Sequence, residues 1–267
     1  MWGDIDDSLA LAMLHSLQDR GEAELLAVTS STDDPSTATY IDALDTFYGH
    51  SDIPVGLIRR GVTAQQTVAR FPFFGSDGGY TRALSSARNP DGTLVFPHAL
   101  TNGELAPDSI ALLRKTLAAQ RDGSVVMIQV GFSTNLARLL VSKGDPSSPL
   151  DGMDLVRRKV RLLSIMAGAY ADRQGRPVKK GEPEFNLILD IPSARQLFDK
   201  WPTPVVASGF EIGASMRING GSIDRLFGYT RNHPVAAAYH YVDRIYRTKD
   251  TPAGVLHNHA TDRKSVV

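Results

Sequence analysis

The chain contains no cysteine. That excludes disulfides, thiolate metal centres and a cysteine nucleophile; a reducing compartment is compatible with it but not required. Neither charge is in excess. Lys+Arg and Asp+Glu both number 29, for a formal net charge of zero, so no electrostatic argument favours nucleic acid or an anionic membrane as a partner. No apolar run approaches the roughly 18 residues of a membrane-spanning helix, and the first residues are acidic where a secretory signal would be basic. There is no Walker-type phosphate loop, no GxGxxG after a strand and no persuasive Ser/His/Asp order. At 267 residues, 42% of them hydrophobic, the chain can bury the core of one large globular domain or two small ones.

What is present is an alternation of short β-rich runs and helical patterns. Strands are expected at Glu24–Ser30, Ile53–Ile58, Ser124–Val130, Val160–Met166, Phe185–Leu189 and Pro204–Ser208. Several are continuous apolar runs, the pattern of strands buried on both faces. Helices are expected at Asp7–Asp19, Ser36–Tyr48, Asp108–Gln120, Ser133–Ser142, Ile191–Lys200 and Pro234–Tyr246. Such alternation predicts an α/β fold, Rossmann-like, with a mostly parallel central sheet flanked by helices. Thr63–Asn102 reads as a long loop with a little helix, and Asp172–Pro183 as a solvated loop carrying Arg173, Arg176, Lys179 and Lys180.

In such folds ligands bind beyond the carboxyl ends of the strands, and polar residues gather at those places here. Asp4, Asp6 and Asp7 stand before the first helix. By themselves they suit either a helix N-terminus or a hard-cation site, since Ca²⁺ takes six to eight oxygens. Asp33 and Asp34 follow the first expected strand. Gly131 suggests a close backbone approach that would turn the Val130 carbonyl toward a ligand. Glu184 and Asn186, two apart, would face the same way on a strand, where a carboxylate and an amide suit vicinal hydroxyls; a plain surface strand edge is the alternative. His257 and His259 fit a solvated loop better than a metal pair, and His233 fits a turn before a helix.

Taken together, the segments GDIDDSLALAMLHSL, LLAVTSSTDDPSTATYIDALDTFYGHSDIPVG, VMIQVGFSTNLARLL, RRKVRLLSIMAGAY, EPEFNLILDIPSARQLF and WPTPVVASGFEIG resemble the inosine-uridine preferring nucleoside hydrolase family. The order of six segments is far more specific than any one of them. The resemblance implies hydrolysis of the N-glycosidic bond of ribonucleosides to ribose and free base, a glycosidase reaction of purine and pyrimidine salvage, with a Ca²⁺-bound water as nucleophile. Carried over by position, Asp7 is the calcium ligand and Asp6 the ribose-hydroxyl acceptor, the two forming the catalytic pair, while Val130 lends a backbone carbonyl to the metal. Glu184 and Asn186 match the ribose-binding pair and Met166 the lining of the sugar's 5′ side. Asp34 stands where many members carry an Asn near the ribose, and Asp4 has a supporting place.

The chain also departs from the family pattern. The motif normally opens with an Asp-x-Asp at the end of a first strand, and a late aspartate completes the metal shell. Neither is found here, so the expectation is one incomplete domain, residues 1–261, with its first strand missing and its activity impaired. Residues 262–267 read as a non-native tail because Asp262–Val267 back-translates to a common sequencing-adapter sequence, and Asp262 is therefore not taken as a ligand. Rival readings are a non-catalytic nucleoside- or ribose-binding relative, a Mg²⁺ phosphatase with an acidic site, and a hydrolase of modified or non-ribose glycosides. The expected partner is a small nucleoside, with no nucleic acid and no membrane, and many relatives are homo-oligomers. A cytoplasmic location is the first choice, with secretion left open.

Overall fold

The computed structural model describes residues 1, 5–70, 79–171, 184–215 and 220–247. Along the chain run α1 (Asp6–Asp19), β1 (Val28–Asp33), α2 (Pro35–Phe47), β2 (Val55–Thr63), α3 (Ala64–Arg70), α4 (Gly79–Ser85), α5 (Ser109–Ala119), β3 (Val125–Gln129), α6 (Thr134–Val141), α7 (Gly152–Lys159) and β4 (Val160–Met166). They are followed by α8 (Phe185–Ile188), α9 (Ile191–Lys200), β5 (Val205–Ser208), α10 (Phe210–Ser215), α11 (Gly220–Phe227) and α12 (Pro234–Arg247). Among the described residues no helix is long and apolar enough to cross a membrane.

Every named ladder is parallel, as the alternation predicts. The described strands form two sheets, β1-β2 and β3-β4-β5. Side chains join them: Asn135 Nδ2 donates to Ser30 O at 3.0 Å and to Thr29 Oγ1 at 3.1 Å, and Phe132 N donates to Ser31 Oγ at 3.1 Å.

Two apolar cores follow from this division. In the first, α1, α2, α4 and α12 enclose the β1-β2 sheet around Leu11, Tyr40, Ile41, Leu57, Tyr80 and Val235. Residues 55–58 are buried on both faces, as a continuous apolar run requires. In the second, Leu117, Leu139, Leu155, Leu163, Ile165 and Leu197 pack one face of the β3-β4-β5 sheet against α5, α6, α7 and α9. Its other face departs from the expectation of two-sided burial: Val126, Ile128 and Val206 are 38%, 41% and 47% exposed. Apolar content alone cannot show which face a helix covers.

Capping fixes several helix starts. Asp34, Asp108, Asp151 and Asp190 each accept a bond from the first turn they precede, satisfying amide groups that have no partner within the helix. Helix α7 was not expected. Its start is held by Asp151, and its packing by Gly152, where a Cβ would lie 1.6 Å from the Leu139 carbonyl of α6. The expected strand at Phe185–Leu189 is instead the single helical turn α8. The Glu184 carboxylate accepts from Asn186 N at 2.8 Å and Leu187 N at 3.2 Å, which turns the backbone into a helix. Within the expected long loop 63–102, α3 and α4 are helical. The basic segment 172–183, His257, His259 and the tail 262–267 lie outside the described residues, as does Asp4.

Candidate active site

Expected site residues stand at or directly after the ends of three parallel strands: Asp34 after β1, Val130 after β3 and Met166 at the end of β4. Asp6 and Asp7 lie in the first turn of α1 and are buried, 9% and 4% exposed. They do not cap the helix; Ile5 holds the cap position and has no side-chain bond to it. Instead the amino group of Met1 lies 2.7 Å from Asp7 Oδ2.

Helix α4 ties this start to that of α2. Ser8 Oγ donates to Tyr80 Oη at 3.3 Å, and Ser36 Oγ lies 2.8 Å from Thr81 Oγ1. Asp34 is buried and splits its carboxylate: Oδ1 accepts from Ser36 N (2.9 Å) and Ser36 Oγ (2.7 Å), while Oδ2 stands 3.8 Å from Arg82 Nη2. It is a helix cap first, which explains its acidic character just before Pro35.

Val130 follows β3 and is half-buried. At Gly131 the backbone makes a close approach to the protein itself, since a Cβ there would stand 2.4 Å from Ser31 Oγ. Gln129 Nε2 closes the same turn by donating to Gly131 O (3.2 Å) and Ser133 Oγ (3.1 Å). The tilted rings of Phe132 and Phe185, 5.7 Å between centroids, carry the turn on to α8.

At the end of β4 the structure brings together Met166, Glu184 and Asn186, which lie far apart in sequence. Asn186 Nδ2 donates to Met166 O at 3.3 Å and approaches its Sδ at 3.1 Å; Glu184 Oε2 accepts from Gly168 N at 3.3 Å. The pair shares one locality, as expected, but through a helix cap rather than through strand alternation. Two residues not singled out for a role belong here. Tyr170 N donates to Glu211 Oε2 at 3.1 Å, and burial, then the Glu211 and Glu184 carboxylates, push the Tyr170 phenol above its ordinary range. The signal for Glu211 was its place directly after the last strand.

Carboxylate and carbonyl oxygens, the donors that Asp6, Asp7 and Val130 would offer, are of the type a hard metal ion takes. The donor count does not complete a shell: among the described residues no group of three or more His, Cys, Asp or Glu could hold a metal ion. Gln129 Oε1 and Asn135 Oδ1 are further buried oxygens without a hydrogen-bond partner there, and neither residue was considered for that role from the sequence.

Three solved structures share the fold. Type III effector protein XopQ, complexed with adenosine diphosphate ribose, matches with TM-score 0.64 and 18% identity over 92% of this chain and 64% of that one. Effector protein XOO4466 matches with TM-score 0.63 and 17% identity over 99% and 75%. The plant nucleoside hydrolase PpNRh1 matches with TM-score 0.57 and 20% identity over 92% and 70%. This chain thus spans 64% of the length of the first. No curated protein matches it at the level of sequence. The family model described as inosine-uridine preferring nucleoside hydrolase matches residues 2–261, and the chain belongs to that family.

Proposed function

We propose that the protein hydrolyses the N-glycosidic bond of ribonucleosides, releasing ribose and a free base for salvage. The observation that carries this reading is the assembly of Met166, Glu184 and Asn186 at the end of β4, in a chain that also buries the carboxylates of Asp6 and Asp7 at the start of α1. Glu184 and Asn186 hold the ribose hydroxyls; the backbone bonds to Glu184 fix its carboxylate before the sugar arrives, so little order is lost on binding. Met166 lines the far side of the sugar. Asp6 accepts a ribose hydroxyl. As water adds to the anomeric carbon, its proton passes to the Asp6–Asp7 pair, and the C1′–N bond breaks with its electrons leaving on the base. The ribosyl group is cationic at that moment, and fixed carboxylates around it are complementary to that charge.

Ca²⁺ is the proposed ion, held by Asp7 and the Val130 carbonyl; when bound it supplies an acidified water and a grip on sugar hydroxyls. So few protein donors leave its shell mostly to water, and turnover by this chain is correspondingly slow.

The test is release of hypoxanthine from inosine and uracil from uridine by the full chain, with and without added Ca²⁺, alongside calorimetry with the nucleosides, ribose and ADP-ribose. Slow, Ca²⁺-stimulated base release is expected, abolished by Asp7→Asn. Binding without release would make the protein a non-catalytic relative, and phosphate release from a phosphomonoester would move it to the phosphatase reading.

A further inference from the structure

We propose that Arg82 contacts the leaving base of the nucleoside and stabilises its departure, and that Asp34 is the positioning residue that holds Arg82 for this task. The inference rests on the nucleoside hydrolase reading above. It starts from the first turn of α4, which is bonded to the first turns of both α1 and α2 through Tyr80–Ser8 and Thr81–Ser36. Arg82 is the next residue of α4, and its side chain reaches Asp34, the residue that directly follows β1.

Among the described residues its guanidinium is held from one side only. Nη2 stands 3.8 Å from Oδ2 of the buried Asp34, while 61% of the Arg82 side chain is open to solvent. Asp34 itself cannot drift, because its other oxygen is fixed by Ser36 N and Ser36 Oγ. A cation is thus anchored at Asp34.

A guanidinium there is of no use to the sugar, whose anomeric carbon becomes positive. It suits the other product. When C1′–N breaks, the electron pair goes to the base and spreads to ring nitrogens and carbonyl oxygens, until a proton from solvent neutralises it. Planar N–H donors match such edges, as arginine matches the acceptors of purine bases. Burial of Asp34 keeps that positive charge in place at little entropic cost.

The experiment uses the full chain in Ca²⁺ buffer with Arg82→Ala, Arg82→Lys and Asp34→Asn, the last retaining an oxygen to cap α2. Binding of inosine and of ribose is measured by calorimetry, so the base is present in one ligand and absent in the other. Arg82→Ala is expected to weaken inosine about tenfold and leave ribose within about twofold; Arg82→Lys recovers part of the loss, and Asp34→Asn weakens inosine about threefold. In turnover, Arg82→Ala lowers kcat for inosine about tenfold and spares p-nitrophenyl riboside, whose leaving group departs unaided. Equal losses for inosine and ribose, or no change in either, overturn the proposal while leaving the nucleoside reading intact. Failure of the unaltered chain to bind either ligand overturns both.

Discussion

The two halves of the molecule solve the same problem differently. Around β1-β2, helices close both faces of the sheet, and the ionisable groups in that core are wrapped in aromatic rings. His15 Nε2 lies 2.8 Å from Asp45 Oδ1 with both side chains fully buried, and the His15 ring stacks between Tyr48 and His50. Burial pushes the Asp45 carboxyl up despite that bond. Around β3-β4-β5 only one face is closed, and order depends on a polar clamp. Arg114 of α5, 2% exposed, donates to Asp145 Oδ2 (2.8 Å), Ser142 Oγ (2.8 Å), Ser148 O (3.0 Å) and Leu150 O (2.8 Å), and so fixes the whole connection from α6 to α7. The first half is held by enclosure, the second by a small number of strong directional contacts.

That contrast can be broken at its strongest point. Arg114→Met keeps the packing of the stem but takes the donor from the Leu150 carbonyl and the cation from Asp145, and is expected to cost about 3 kcal/mol. Chemical denaturation measures it, and a loss within error of the parent would show that the clamp is redundant.

The first half is better probed by acid. His233 precedes α12, accepts from Val235 N at 3.2 Å and packs against Phe47 and Phe227, and burial lowers its pKa to about 4. The unfolded chain binds this proton near about 6.5, before the folded chain does. The contribution is therefore full above about pH 6.5 and is lost as pH falls toward about 4, amounting to about 2 kcal/mol. His233→Asn keeps an acceptor for the helix and should flatten the decline in stability across that window. Parallel profiles for parent and variant would remove His233 from the account.

The smallest effect lies on the open face. Ile128→Thr, at a residue 41% exposed, should change stability by less than about 0.5 kcal/mol. A larger loss in the same denaturation assay would mean that the face is covered in solution.

Much of this was legible in the sequence, and unevenly so. Ile191–Lys200 and Val160–Met166 have the bounds that their patterns predict, because a capping aspartate starts the one and apolar residues predominate in the other. Helix α7 lacked an apolar rhythm long enough to register; its last turn is Arg157, Arg158 and Lys159. At the site, Asp6 and Asp7 announced themselves by crowding. The meeting of Met166 with Asn186 is a contact across 20 positions, which no local spacing encodes and which only the resemblance to a family anticipated. Glu184 was found for the wrong local reason: a spacing of two serves a helix cap as well as a strand face.

The glycine at 152 has a consequence for the site although it is remote from it. Backbone meets backbone where Gly152 lies on Leu139, so the far end of α6 is pinned against a stop that no side chain can cushion. Helix α6 is eight residues long, a rod of about 12 Å, and its near end carries Thr134 and Asn135 beside the turn that presents Val130. A Cβ at position 152 fits only if α6 or α7 moves. Packing at a glycine of α7 therefore bears on the helix that leads back to the Val130 turn.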